Sequence, residues 1–332
     1  MPQELAVQAN GLTKRYKQKV ALDGVDLAVP RGSVHGLLGP NGAGKTTTVR
    51  ILATLTTAEG GSASVAGHDV VAQPREVRRS IGLTGQQTAV DDLLTARQNL
   101  TMFGRLFRLG KADAQRRADE LLELFGLTEA ADRAPKKFSG GMRRRLDLAA
   151  SMILAPQVLF LDEPTTGLDP AGRREVWEAV RNLAMAGTTV LLTTHYLDEA
   201  DKLCDRISVI NHGRNFIEDT PAGLKRRIGD ERLEVAVVEP ETLTSLAELI
   251  TRVTGAEVEV DEAEGRISAP VPDGVAALTA AAAEIRSTGM EISDIGLRRP
   301  TLDEAFLHLT AHSDPEKAGS LPAKTTDKEA VR

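Results

Sequence analysis

Cysteine is almost absent from the chain. The one thiol, Cys204, excludes an internal disulfide and gives no sign of an oxidising compartment. A small, buried, apolar role is expected of it. A basic surplus is missing too: 41 Lys and Arg stand against 47 Asp and Glu, for a formal net charge of −6. That balance argues against a dedicated nucleic-acid binder. Long apolar runs are also lacking. The longest candidates, residues 158–161 and 188–194, are strand-sized, far short of the roughly 20 residues needed to cross a bilayer. The N-terminal Met-Pro-Gln-Glu-Leu-Ala-Val has no basic stretch followed by an apolar core, so no signal peptide is expected. What is present is the balance of an ordinary globular protein, 41% hydrophobic and 27% charged in 332 residues. That length holds one large domain or two moderate ones with ample core.

In the first part, short apolar runs alternate with longer helical patterns, as in a parallel sheet with crossover helices, so an α/β fold is expected. Residues 34–38 read as a strand entering a glycine-rich turn at 39–44, with a helix over about 45–55. Residues 158–161 and 189–193 are continuous apolar runs, expected of strands covered on both faces. A mostly helical stretch lies between them, over about 90–156. Within it Ala114, Ala118, Leu121, Leu122 and Phe125 recur at helical spacing. After Gly229 the texture changes. Strands are expected over 233–238, 258–260, 267–269 and 292–297, and helices over 241–253 and 274–286. This is a small α+β unit of ferredoxin-like order. Thr301 and Glu304 form a capping-box pattern that opens a closing helix. Residues 313–332 are polar and apolar-poor, the composition of a disordered tail. The expected domains are 1–229, 230–312 and that tail.

Gly39-Pro40-Asn41-Gly42-Ala43-Gly44-Lys45-Thr46, followed by Thr47, matches the phosphate-binding loop G-x-x-x-x-G-K-[ST]. Its glycines let backbone N–H groups turn inward around phosphates. Lys45 reaches the β and γ phosphates, and Thr46 offers a hydroxyl to Mg²⁺. The loop indicates a nucleoside triphosphate without saying which machine uses it. Residues 158–163 are four apolar residues followed by Asp162 and Glu163. A buried strand would deliver both acids to its C-terminal end, where ligands sit in such sheets. Asp162 would hold Mg²⁺ and Glu163 would polarise the attacking water. Ser139-Gly140-Gly141 opens a helix whose free amides, with the Ser139 hydroxyl, make a second anion site.

With these motifs in one chain, the sequence resembles the ATP-binding-cassette (ABC) ATPases. The resemblance spans residues 5–228, with Phe138 and Met142 standing where the signature usually has leucine and glutamine. It implies a P-loop NTPase domain with a parallel or mixed core sheet and a helical subdomain. Carried over residue by residue, Tyr16 resembles the aromatic that stacks on adenine. Gln86 resembles the glutamine that senses Mg²⁺ and the attacking water, with Gln87 the adjacent alternative. Asp169, in Gly167-Leu168-Asp169, resembles the loop that crosses between two copies, and His195 resembles the histidine that contacts the γ-phosphate.

Each motif occurs once. The resemblance therefore implies two copies paired head to tail, with Ser139 and Gly141 completing the partner's ATP site. ATP and Mg²⁺ are the implied ligands. The helical region would dock on a separate membrane permease, placing the chain at the cytoplasmic face of the cell membrane. The competing reading is a soluble cassette ATPase acting on nucleic acid or ribosomes. Lys45 and Ser139 lie too close for an intervening long coiled coil, and one cassette is present rather than two, so no nucleic-acid partner is expected. Residues 297–307 and 139–147 resemble the daunorubicin-resistance group of exporter ATPases. That likeness implies export of an amphipathic drug or lipid.

Overall fold

The computed structural model describes residues 4–85, 88–227, 231–299, 301, 302 and 304. It divides into two compact units, Met1–Pro221 and Ala222–Arg332.

The first unit opens with two long strands, β1 (Leu5–Tyr16) and β2 (Lys19–Pro30), then β3 (Val34–Leu38), which feeds helix α1 (Lys45–Leu52). Strands β4 (Gly60–Val65) and β5 (His68–Asp69), helix α2 (Pro74–Ser80) and strand β6 (Ile81–Thr84) follow. The helical stretch comprises α3 (Ala96–Leu106), α4 (Lys111–Leu124) and α5 (Gly140–Ser151). Then come β7 (Val158–Asp162), α6 (Pro170–Met185), β8 (Thr189–Thr194), α7 (Leu197–Leu203), β9 (Arg206–Asn211) and β10 (Arg214–Asp219). Helix α8 (Pro221–Arg226) lies at the division between the units.

The central sheet has six strands in the order β10-β9-β3-β8-β7-β6. β9, β3, β8, β7 and β6 run parallel, and β10 closes one edge antiparallel. Every residue of β3, β7 and β8 is buried, so their near-continuous apolar runs reflect cover on both faces. Because these strands are parallel, Leu38, Asp162 and Thr194 all fall at the same end of the sheet, where the loops carrying chemistry begin.

A second, antiparallel sheet of order β2-β1-β4-β5 packs its apolar side into the same core, with Val7, Leu12, Val25, Val29 and Val65 joining Leu37, Ile51, Leu52 and Phe160. The sequence reading did not foresee this sheet. The pairing of β1 with β2 changes register at several places, including between Ala9 and Leu12, which interrupts the alternation along β1, while Val25, Leu27 and Val29 of β2 keep it. Helix α1 is also shorter than the expected 45–55. Thr54 takes a left-handed φ of 60° just past the last turn, which stops the helix at Leu52.

The second unit follows the order strand, helix, strand, strand, helix, strand: β11 (Glu231–Val237), α9 (Leu243–Thr254), β12 (Glu259–Asp261), β13 (Arg266–Val271), α10 (Gly274–Thr288) and β14 (Ile292–Arg298). Its strands form one antiparallel sheet, β12-β13-β11-β14. Leu233, Val235, Ile267 and Ala269 from the sheet pack with Leu246, Leu249, Ile250 and Ile285 from the helices, giving this unit a core of its own. At its end the Thr301 N–H donates to Glu304 Oε2 and the Glu304 N–H to Thr301 Oγ1, the reciprocal capping-box bonds read from the sequence. The expected tail, 313–332, lies outside the described residues.

Candidate nucleotide site

The loop at 39–44 has the tight geometry that its glycines permit. A Cβ on Gly39 would stand 2.2 Å from the Ile210 carbonyl oxygen, and Gly44 sits at φ 114° with no room beside the Ala21 carbonyl oxygen. L side chains are strained or excluded at both positions, which leaves the backbone free to approach a ligand closely. Lys45, at the first turn of α1, is 5% exposed, and its Nζ donates to Gly39 O at 2.7 Å and Pro40 O at 3.2 Å. Burial lowers its pKa, while the carboxylates of Glu163 and Asp162 pull the other way. Its Nζ is thus held against two carbonyls of the loop.

Asp162 ends β7 and is 6% exposed. Its Oδ1 accepts from Thr193 Oγ1 at 2.5 Å and from Thr46 Oγ1 at 3.2 Å. A carboxylate and a hydroxyl at that separation are the hard oxygen donors that suit Mg²⁺, which takes one or two protein oxygens together with phosphates and water. Among the described residues no group of three or more His, Cys, Asp or Glu could hold a metal ion.

Glu163 follows directly, at a left-handed φ of 49°. Its N–H donates to Thr193 O at 3.1 Å, and Thr166 Oγ1 donates to its carboxylate at 3.4 Å. His195, just past β8, brings Nδ1 to 3.3 Å from Glu163 Oε1. That approach lacks hydrogen-bond geometry and Nδ1 stays without a partner, so the two groups are neighbours rather than a bonded pair.

A cavity of about 290 Å³ is lined by Tyr16, Lys19, Asn41, Gly42, Gly44, Lys45, Thr46, Thr47 and Glu163. Tyr16, at the end of β1, is 44% exposed, with Lys14 Nζ 5.5 Å from its ring centroid. Ser139, Gly140 and Asp169 do not line this cavity. Ser139 caps α5, accepting from the Met142 N–H at 3.2 Å, and Asp169 caps α6, accepting from the Gly172 N–H at 2.8 Å. Ser139 and Gly140 are exposed, whereas Gly141 is pressed against Gly172 of α6. Gln86 and Gln87 lie outside the described residues.

The sequence reading singled out neither Thr193, which fixes the Asp162 carboxylate, nor Lys19, which lines the cavity. It quoted Arg144 only as part of the signature helix. Arg144 is nonetheless buried in the site, and a signal for it existed: Gly141, Arg144 and Leu148 share one helical face, and all three are buried.

The ABC transporter family pattern matches residues 22–166. The chain is 62% identical to daunorubicin resistance ATP-binding protein DrrA2 of Streptomyces coeruleorubidus, over 92% of this chain and 95% of that protein. It is 48% identical to daunorubicin/doxorubicin resistance ATP-binding protein DrrA of Streptomyces peucetius, over 94% of each chain. Nod factor export ATP-binding protein I of Sinorhizobium fredii is 42% identical over 73% of this chain and 71% of that protein. Among solved structures, an ATP-binding subunit of an ABC transporter superposes with a TM-score of 0.59 at 28% identity, covering 68% of this chain and 93% of that one. A dimeric ATP-binding cassette in a post-hydrolysis state, bound to ADP and Pi, gives 0.58 at 26%, covering 64% and 98%. A phosphate loop, a strand-end carboxylate pair and a signature helix on this mixed α/β fold, with relatives of this closeness, establish that the chain belongs to the ABC transporter family as an ATP-hydrolysing subunit homologous to drug and Nod factor exporter ATP-binding proteins.

Proposed function

We propose that this subunit couples Mg-ATP binding and hydrolysis to export of an amphipathic drug or lipid-like molecule through a separate membrane permease. The observation that carries the site assignment is the meeting of Lys45 and Thr46 with Asp162, Glu163 and His195 at one end of the parallel strands. Tyr16 stacks on the adenine, and the backbone of 39–44 with Thr47 cradles the phosphates. Lys45 neutralises β- and γ-phosphate charge. Mg²⁺, held by Thr46 and Asp162 with Gln86 nearby, would neutralise charge developing on the phosphate oxygens. Glu163 polarises the attacking water and His195 contacts the γ-phosphate.

The exposed Ser139 and Gly140 stand apart from the chain's own phosphate cavity, which supports their completing the site of a second copy together with Gly141 and Asp169. Two copies would then close head to tail on ATP and part after hydrolysis, a two-state switch able to move an attached permease. The drug-resistance names of two relatives quoted above support a drug-like cargo. With the export named for the Nod factor relative, they leave the nucleic-acid or ribosome alternative unfavoured. No described helix is long and apolar enough to cross a membrane, which supports peripheral attachment at the cytoplasmic face through the permease. We assign residues 1–229 to the ATPase domain, with its helical subdomain at 90–156 as the docking region. Residues 230–312 are assigned to a ferredoxin-like accessory domain, supported by the sheet order β12-β13-β11-β14.

The test is Glu163→Gln in the full chain. ATP turnover is expected to fall by about 10²-fold or more, as for loss of an acid–base group, while an ATP-dependent dimer accumulates. Full turnover by the variant would overturn the assignment of the site.

A further inference from the structure

Arg144 is 5% exposed, a rare place for a guanidinium. It projects from α5, one turn beyond Gly140 and Gly141. Its Nε donates to Pro164 O at 2.8 Å, and Nη1 donates to Gly85 O at 2.8 Å and to Asp147 Oδ2 at 3.2 Å. Nη2 lies 3.5 Å from Asp162 O. The carbonyls of Asp162, at the end of β7, and of Pro164, just beyond it, flank Glu163. That residue holds φ 49°, a region non-glycine residues keep only where their surroundings over-determine it. Thr193 fixes the other side of the same turn by accepting the Glu163 N–H. Asp147, 4% exposed, neutralises the guanidinium and accepts the Ala89 N–H at 2.9 Å, so Arg144 is not stranded as an unpaired buried charge.

We propose that Arg144 is a positioning residue for ATP hydrolysis: from the signature helix it grips the backbone on both sides of Glu163 and so aims that carboxylate into the nucleotide cavity. The proposal rests on Glu163 being the residue that polarises water. It requires the guanidinium fork, because only a planar group with several fixed donors reaches Pro164, Gly85 and Asp147 together. A lysine in its place keeps the charge opposite Asp147 and loses most of the carbonyl bonds. It follows that ATP binding, which Lys45 and the phosphate loop carry, is spared when Arg144 is changed, and the chemical step is not.

The experiment compares full-length wild type, Arg144→Lys, the neutral pair Arg144→Gln/Asp147→Asn, and Glu163→Gln. Measured for each are kcat and KM for ATP, the ATP-dependent dimer and the melting temperature. The expected result is a fall of at least about tenfold in kcat for both Arg144 variants, with KM within about threefold, as for an interaction felt in the transition state only. Both should accumulate the ATP-bound dimer as Glu163→Gln does. The double variant leaves no unpaired buried charge and guards against a mere folding defect. Wild-type kcat in either folded variant, while Glu163→Gln is inactive, would overturn the positioning role alone. Joint loss of ATP binding and turnover would overturn it too, as would loss of the folded state in both variants, since Arg144 would then be a packing residue. Full turnover by Glu163→Gln would remove the reading beneath it.

Discussion

Near the start of β3, His35 is fully buried, with Nε2 2.8 Å from Ser208 Oγ, which in turn donates to Glu218 Oε2 at 3.1 Å. Burial lowers its pKa from 6.5 to about 4; Glu218 and Asp205 oppose that shift and Arg206 adds to it. The unfolded chain therefore binds the proton at higher pH than the folded one. The stabilisation is complete above pH 6.5 and is lost as pH falls toward 4, by about 3 kcal/mol at most. Buried Asp147 and Glu199 have raised pKa values and so oppose this loss in acid. The difference between wild type and His35→Gln isolates the histidine. Thermal melting of the two between pH 7 and 4 should show the wild type losing stability faster, and parallel curves would refute the assignment. At the same scale, Lys45→Ala should abolish the rise in melting temperature that Mg-ATP gives the wild type. Ligand at about 100 times its Kd contributes about 2.7 kcal/mol to the folded state, and the variant should show almost none of it in the same melt.

The strands and helices differ in how firmly they tie into the site. Phe160, in the middle of β7, is 0% exposed and belongs to the core that joins the two sheets of the first unit. Phe160→Ala should cost about 3–5 kcal/mol in denaturant unfolding, the range for deleting a large buried side chain. Asp169 is an exposed cap, accepting the Gly172 N–H at the start of α6. Asp169→Ala should cost only about 1 kcal/mol, the usual worth of an N-cap. If the same variant lowers ATP-dependent dimerisation much more than stability, measured by light scattering beside the melt, the cross-copy role has independent support. If dimerisation follows stability alone, Asp169 is a cap and nothing more.

For the molecule as a whole, local pattern and tertiary contact divided the work. The phosphate loop, the paired acids after an apolar strand and the serine-glycine helix start were legible because each is a contiguous run whose chemistry depends on spacing. The apolar runs of β3, β7 and β8 were legible because a doubly covered strand is mostly apolar, and polar members such as His35 and Thr193 are held by hydrogen bonds. The alternation of strand and helix in the second unit showed for a similar reason, each element burying one face on its own core. The antiparallel sheet of β1, β2, β4 and β5 escaped where bulged pairing interrupts the period along β1, although the alternation of Val25, Leu27 and Val29 along β2 was a signal for it. The end of α1 escaped as well, since Thr54 is a poor signal for a left-handed stop. Arg143, Arg144 and Arg145 look alike in the sequence, yet only Arg144 is buried against the carbonyls of Gly85 and Pro164. Arg143 pairs with Asp92, and Arg145, partly buried, pairs with Glu175 and donates to Phe125 O at 2.9 Å. By itself, then, the sequence determined the fold class, the family and the motifs proposed to meet the nucleotide, because those follow from local spacing. Only the tertiary structure decided which arginine grips the turn at Glu163 and which threonine holds Asp162, because such contacts join segments far apart in the chain.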